Sequence, residues 1–300
     1  MSPKIDPNDV RIFSGRSHPT LALGIANFLG VPLEETLVRH FANDCLGVQL
    51  CASVRGRVVY IVQSLAPPVQ ENLMELLMML DIARNAGASE VHAIIPYYAY
   101  ARSDKKDAPR ISIAARLVAD LLKASGATQV MTMQLHTPQV HGFFSIPTDP
   151  LTARGLFVDH LRQHNLKPDN AIVVAPDAGI AKSAARLARL LGLSVGVGSK
   201  QRFSDTNVKI SKTIRKQVKG YECAIIYDDE ISTGSSVVEL SKILLKSTIR
   251  RICVVSTHGL FTGPAIENLK SIPQIEEIIV TDTVPTPSAE TLSNLTVLSV

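Results

Sequence analysis

Short apolar runs rich in β-branched residues alternate with stretches of helical periodicity almost from end to end of this chain. That alternation limits the fold more than any single motif does. Val58–Val62, Val91–Ile95, Gln129–Met133, Ala171–Ala175, Ala224–Tyr227 and Ile252–Ser256 read as buried strands. Helical patterns fall between them at Asn72–Asn85, Ser112–Ser125, Thr152–His164, Gly179–Leu191 and Ser235–Lys246. Continuously apolar strands separated by covering helices are the signature of parallel sheets, so an α/β fold with helices on both sheet faces is expected.

The chain has 300 residues, enough for two domains that each bury a core. Two strand–loop–helix–strand units echo each other, one running from Tyr60-Ile61-Val62-Gln63 to Ile94-Ile95, the other from Ile225-Ile226-Tyr227-Asp228 to Cys253-Val254. Any two such units look alike to some degree, but together with the length they favour two similar domains. The proline-bearing stretch Ile146–Pro150 is the expected joint, giving domains of residues 1–149 and 150–300.

Several partner classes are excluded on composition. Tryptophan is absent, aromatics make up 5% and the formal charge is only +4, which argues against a nucleic-acid surface. No apolar stretch approaches the ~20 residues that cross a bilayer, and the N-terminal MSPKIDPNDV lacks the apolar core of a signal peptide. Cys45, Cys51, Cys223 and Cys253 are scattered without a CxxC pair, so neither a disulfide framework nor a zinc site is expected. A cytoplasmic protein without membrane contact follows.

Five segments could carry chemistry. In Ile225–Ser236 an apolar run ends in Asp228 and Asp229, and a turn of Ser232, Thr233, Gly234, Ser235 and Ser236 leads into a helical pattern. Hydroxyls and amides at a helix start cradle phosphate, and carboxylates at a strand's carboxyl end can hold sugar hydroxyls directly or through a divalent cation. A solvated surface turn is the plainer alternative. Arg102, Ser103, Asp104, Lys105, Lys106 and Asp107 follow a second strand, where mixed charges could clamp a polyphosphate or simply face water. His136 follows a third strand and could meet a metal or a phosphate, or be structural. Asp177, before Gly179, either faces a ligand or caps the next helix. Lys200 and Arg202 stand two apart in a polar stretch, a spacing that puts both on one side of a strand and could neutralise a transferring phosphoryl group. Neither a Walker A loop nor a GxGxxG turn after a strand is present.

With these segments in this order the chain resembles the ribose-phosphate diphosphokinase (PRPP synthetase) family, and its acidic loop resembles the ribose-phosphate loop of type I phosphoribosyltransferases. The likeness runs from Ile12-Phe13-Ser14-Gly15-Arg16-Ser17-His18-Pro19 through Asn72–Leu77, Ile95–Arg102 and Thr257–Ala265 to about Leu298. It implies two tandem phosphoribosyltransferase-like domains, and transfer of the β,γ-diphosphoryl group of Mg-ATP to the C1 hydroxyl of ribose 5-phosphate, giving PRPP and AMP. By matched position, Lys200 and Arg202 would be catalytic. Phe41, Asn43, Arg102, Ser103, Asp107 and His136 would bind ATP. Asp177, Asp228, Asp229, Ser232, Thr233, Gly234, Ser235 and Ser236 would bind ribose 5-phosphate. His136 and Asp177 would lie on the Mg²⁺. Phe41 and Asn43 match a loop that reaches ATP across a subunit interface, so the resemblance also implies a homo-oligomer of the hexamer-of-dimers type.

Departures from the family pattern sharpen the question. Cys45 and Ser232 stand where the family usually has acids, Gln134 and Ser145 where an aspartate is common, and Ser103 where it has glutamine. The chain stops at Leu298-Ser299-Val300, before the family's usual terminal helix. Each exchange removes charge or a polar contact near the expected ligands. Two other readings therefore stand beside the active enzyme: a catalytically weak regulatory paralogue, and a transferase that consumes PRPP.

Overall fold

A computed structural model describes residues 6, 8–163, 169–198, 200–202, 208–210, 214–287 and 291–300, with backbone alone for 200–202 and 208–210. The chain divides into two compact units, Met1–Leu151 and Thr152–Val300. In the first, β1 (Val10–Ser14), α1 (Pro19–Leu29), β2 (Leu33–Glu34), β3 (Thr36–His40), β4 (Leu46–Leu50), β5 (Val58–Val62) and α2 (Val69–Asn85) are followed by β6 (Glu90–Ile95), α3 (Ala114–Ser125), β7 (Gln129–Met133) and β8 (Thr148–Leu151). Six of the strands form one sheet in the order β2-β1-β5-β6-β7-β8, every pair parallel. β3 and β4 form a separate antiparallel hairpin.

The second unit contains α4 (Arg154–Leu161), β9 (Ala171–Ala175), α5 (Ala181–Leu191), β10 (Ser194–Val197), β11 (Lys200–Arg202), β12 (Val208–Ile210), α6 (Ile214–Gln217), β13 (Cys223–Ile231) and α7 (Ser235–Leu244). It ends with β14 (Arg251–Gly259), α8 (Ala265–Lys270), β15 (Ile275–Thr281) and β16 (Leu295–Leu298). Its sheet has the order β10-β9-β13-β14-β15-β16, again all parallel, and β11 pairs with β12 as an antiparallel ribbon. In both sheets the chain adds its second strand on one side of the first and the rest on the other. The order reverses between β1 and β5 in one unit and between β9 and β13 in the other, which is where open α/β sheets hold ligands.

The proline-bearing stretch read as a joint ends in an edge strand, and the units divide directly after it, between Leu151 and Thr152. β8 takes in Thr148, Asp149 and Pro150 and pairs with β7 on one side only, the one place in a sheet where a missing amide is harmless.

Each core forms beneath its sheet's covering helices. Leu76, Met79 and Leu80 of α2 and Val118 and Leu122 of α3 meet Ile61, Val91 and Ile95 in the first unit. Val237, Leu240 and Leu244 of α7 meet Ile172, Val174, Ile226 and Val254 in the second. Two phenols are enclosed in this packing. Tyr98 donates its hydroxyl to the Ala115 carbonyl at 2.8 Å, and Tyr227 meets Phe157 edge-on at 6.4 Å. Burial drives the Tyr98 pKa well above its ordinary value, with the Asp120 charge adding to the effect. Burial also pushes Tyr227 up to about 12, against Arg154 and with help from Asp229 and Asp228. A phenol whose pKa rises on folding contributes stability that is complete below its unfolded value and drains away as pH climbs through the folded one. Of the six tyrosines, these two are expected to stay protonated in the folded protein at pH 11 and to ionise only as it unfolds. Ultraviolet titration of phenolate against circular dichroism checks this, and ionisation of all six before loss of ellipticity would refute it.

Candidate functional site

In the second unit the decisive feature is a difference in strand length. β13 pairs with β9 only over Cys223–Ile226, but with β14 as far as Ile231. The sequence had ended this strand at Tyr227. Asp228 and Asp229 instead lie within it, held by β14 on one side and beyond the end of β9 on the other. They therefore border the crevice where the strand order reverses, opposite Asp177 in the loop after β9. Asp229 is buried and Asp228 half-exposed, and the Asp229 amide donates to Asp228 Oδ1 at 2.9 Å.

The hydroxyl turn follows directly. Gly234 takes φ 72°, a left-handed conformation that a side chain would strain, and so swings the chain into α7. No side chain caps α7, and helix geometry leaves its first amides, beginning at Ser235 and Ser236, to an outside acceptor. The turn is fastened from below: Asn268 Nδ2 donates to the Thr233 carbonyl at 2.8 Å and the Thr262 amide to the Ser232 carbonyl at 3.0 Å. Thr233 Oγ1 lies 2.9 Å from Ser235 Oγ, within the cradle itself. Ser232 faces the scaffold, its Oγ 3.0 Å from Thr262 Oγ1.

Asp177 precedes α5 but is not its N-cap, which is Ile180. Asp177 Oδ1 accepts from the Gly179 amide at 2.8 Å and the Ile180 amide at 3.4 Å, closing the turn before α5. Lys200 and Arg202 both belong to β11, two positions apart, while the placement of their side chains lies outside the described residues.

In the first unit the loops after β6 and β7 are joined. Thr137 Oγ1 donates to Asp104 Oδ2 at 2.7 Å, which ties the segment containing exposed His136 to the one containing Arg102 and Asp107. Ser103 also holds the scaffold. Its Oγ accepts from the Ala114 amide and donates to the Ser112 carbonyl, both at 3.2 Å, and its carbonyl accepts from the Ala115 amide. It thus caps α3, whose own N-terminal residue supplies no side-chain bond. Ser103→Ala is expected to cost about 1 kcal/mol of stability, measured by denaturant unfolding. No loss would show the cap to be idle.

Phe41 and Asn43 occupy the tip of the β3–β4 hairpin, closed by Phe41 N to the Cys45 carbonyl at 2.9 Å. Phe41 is 55% exposed, with its ring over Gly47, where a β-carbon would come within 2.8 Å of it. Near this tip lies a cluster the sequence reading passed over. Arg16 reaches Glu75, Glu71 and His40, and the Glu71 carboxyl is held below the ordinary carboxylate range chiefly by its hydrogen bond from Arg16. That contact persists at neutral pH and is lost only as pH falls below the ordinary carboxylate value. Glu71 and Glu75, one turn apart on α2, were the available signal.

Among the described residues no group of three or more His, Cys, Asp or Glu side chains gathers as a metal cage. No described helix is long and apolar enough to cross a membrane.

Residues 10–126 match the model of the N-terminal domain of ribose phosphate pyrophosphokinase, and residues 205–296 the phosphoribosyl synthetase-associated domain. The ribose-phosphate pyrophosphokinase of Deinococcus radiodurans is 46% identical over 87% of this chain and 81% of its own. That of Aquifex aeolicus is 42% identical over 93% and 88%. The chain belongs to the ribose-phosphate pyrophosphokinase family. A crystal structure of phosphoribosylpyrophosphate synthetase from Mycobacterium smegmatis superposes on this pyrophosphokinase-family chain with a TM-score of 0.89 at 35% identity, covering 97% of this chain and 94% of the other. The pyrophosphokinase fold therefore extends through both units.

Proposed function

We propose that this chain is an active ribose-phosphate diphosphokinase. The C1 hydroxyl oxygen of ribose 5-phosphate attacks the β-phosphorus of ATP, the bond from that phosphorus to the α–β bridging oxygen breaks, and AMP departs while the hydroxyl proton passes to water. The observation that carries this reading is the crevice in the second unit, where an aspartate pair borders the strand reversal and a hydroxyl-rich turn opens α7. Acids suit the ribose hydroxyls, and the helix start suits the 5-phosphate.

Asp228, Asp229, Thr233 and Ser236 take the sugar phosphate, with Gly234 and Ser235 supplying turn and amides. Lys200 and Arg202 on β11 neutralise the diphosphoryl group in transit. Arg102, Asp107 and His136 take ATP in the first unit, and Phe41 and Asn43 take it from a neighbouring copy in a homo-oligomer of the hexamer-of-dimers type. The residues fit Mg²⁺: one or two carboxylates plus substrate phosphates are its usual protein complement, so no cage is required. Asp177, with one oxygen engaged in its turn, and His136 lie on its side. When bound, Mg²⁺ screens phosphate charge and orients the donor. Four free cysteines suit a reducing cytoplasm.

One observation favours a weakened paralogue. Ser103 and Ser232, which replace polar family residues, both direct their hydroxyls into the scaffold. The two readings separate in one assay. AMP and PRPP are followed with the purified protein, ATP, ribose 5-phosphate and Mg²⁺. The enzyme forms both in equal amounts and only with all three. Binding of either ligand without turnover at high Mg²⁺ would overturn activity in favour of a regulatory role.

A further inference from the structure

The β3–β4 hairpin is paired with neither six-stranded sheet, and a lone two-stranded hairpin is marginal in water. At its base Val48 and Leu50 rest half-buried against the core beneath α2. Toward the end where Phe41 and Asn43 sit, a polar set of contacts converges on Arg16.

Arg16 follows β1 at the strand reversal of the first unit, the position equivalent to that of Asp177 in the second. In the first unit this crevice is filled by the protein itself. Gln63 Oε1 accepts from the Ser17 amide at 3.1 Å and from Ser17 Oγ at 2.7 Å, and a β-carbon at Gly15 would fall 2.2 Å from it, so any larger residue there would have to displace the Gln63 amide. Beyond Gln63, Glu75 has no exposure at all, and Arg16 engages both its oxygens: backbone N to Oε1 at 2.6 Å, Nε to Oε2 at 2.7 Å. The guanidinium is thereby fixed in orientation. Its remaining nitrogens point at the hairpin side, Nη2 to Glu71 Oε1 at 2.5 Å and Nη1 to His40 Nε2 at 3.2 Å. Glu71 Oε1 in turn lies 3.1 Å from the same imidazole nitrogen, and His40 Nδ1 stands 4.0 Å from Asp44 Oδ1. His40 is the last residue of β3, immediately before Phe41.

We propose that Arg16, Glu71 and His40 are positioning residues for nucleotide binding, a clamp that sets the hairpin tip from α2 and so fixes Phe41 and Asn43. This rests on the reading that Phe41 and Asn43 contact ATP. Each guanidinium nitrogen has a partner inside the unit, so the cluster acts through the hairpin. His40 and Glu71 are partly exposed, which lets them be changed without emptying the core.

The test measures KM for ATP, KM for ribose 5-phosphate and kcat in the full-length enzyme. His40→Ala and Glu71→Ala are each expected to raise KM for ATP roughly tenfold, with the double variant no worse than either alone because both break one network. KM for ribose 5-phosphate, kcat at saturating ATP and the melting temperature are expected to hold. His40→Gln, whose amide can meet both Arg16 and Glu71, is expected to keep KM for ATP within about twofold. Phe41→Ala serves as reference. If it raises KM for ATP while His40→Ala and Glu71→Ala do not, the clamp is refuted and the ATP reading of the tip survives. If Phe41→Ala also leaves KM unchanged, the tip does not contact nucleotide and both fall. Additive effects in the double variant, or failure of His40→Gln to restore KM, would likewise refute the clamp.

Discussion

Lys200→Ala is expected to lower kcat for ribose 5-phosphate-dependent AMP formation by about 10²-fold or more, the usual consequence of removing one preorganised donor to transition-state charge. β11 and β12 pair with each other and not with the six-stranded sheet, so the lysine belongs to a ribbon outside it. Its loss should leave the parallel core and the melting temperature unchanged. Because the charge it meets develops during transfer, KM for ribose 5-phosphate is expected to stay within a few-fold of the parent value. Stopped-flow or coupled measurement of AMP gives both constants. A variant with the parent's kcat would remove Lys200 from the chemistry, and one that alters only KM would make it a binding group.

The second large effect concerns stability. Arg16→Met leaves the wholly buried Glu75 carboxylate with a backbone amide but no cation. Breaking a fully buried pair from one side typically costs about 3–5 kcal/mol. Because the Arg16 side chain is 40% exposed, the loss is expected toward the lower end of that range. The first unit should therefore unfold at lower denaturant than the second. Replacing both partners, as Arg16→Met with Glu75→Leu, removes the stranded charge and is expected to restore most of the loss. Urea unfolding followed by circular dichroism separates the outcomes. If the single variant is as stable as the parent, Glu75 does not depend on Arg16. If the double variant is as weak as the single, shape rather than charge governs the site.

These features differ in how plainly the sequence displayed them. Val58–Val62, Gln129–Met133 and Ala171–Ala175 coincide with observed strands because parallel strands buried on both faces need largely apolar runs. The same rule cut β13 short at Tyr227, since Asp228-Asp229-Glu230 looks like a loop. The strand continues because β14 pairs with it as far as Ile231. The β3–β4 hairpin went unread because its tip has no Asn-Gly or Gly-X pair: Asp44 takes the left-handed conformation at φ 66° instead. β8 was hidden by Pro150 and its few apolar residues.

The acidic and hydroxyl residues of Asp228–Ser236 were identifiable as a group because they are contiguous. Their division of labour was not, since Ser232 turns to Thr262, thirty residues on. Ser103 capping Ala114, eleven residues away, has no local pattern to reveal it. The cluster about Arg16 joins the loop after β1 to β3 and α2, and only the tertiary fold brings those segments together.

Because β9 stops four residues before its neighbour loses contact with β14, the rim of the second sheet is notched rather than level. Had the two edges been flush, the amides and carbonyls of residues 228–231 would be saturated by an adjoining ladder and the aspartates walled off. Inserting four residues of strand-forming sequence after Ala175 should fill that gap. The insertion would abolish pentose binding while leaving every catalytic side chain in the gene untouched.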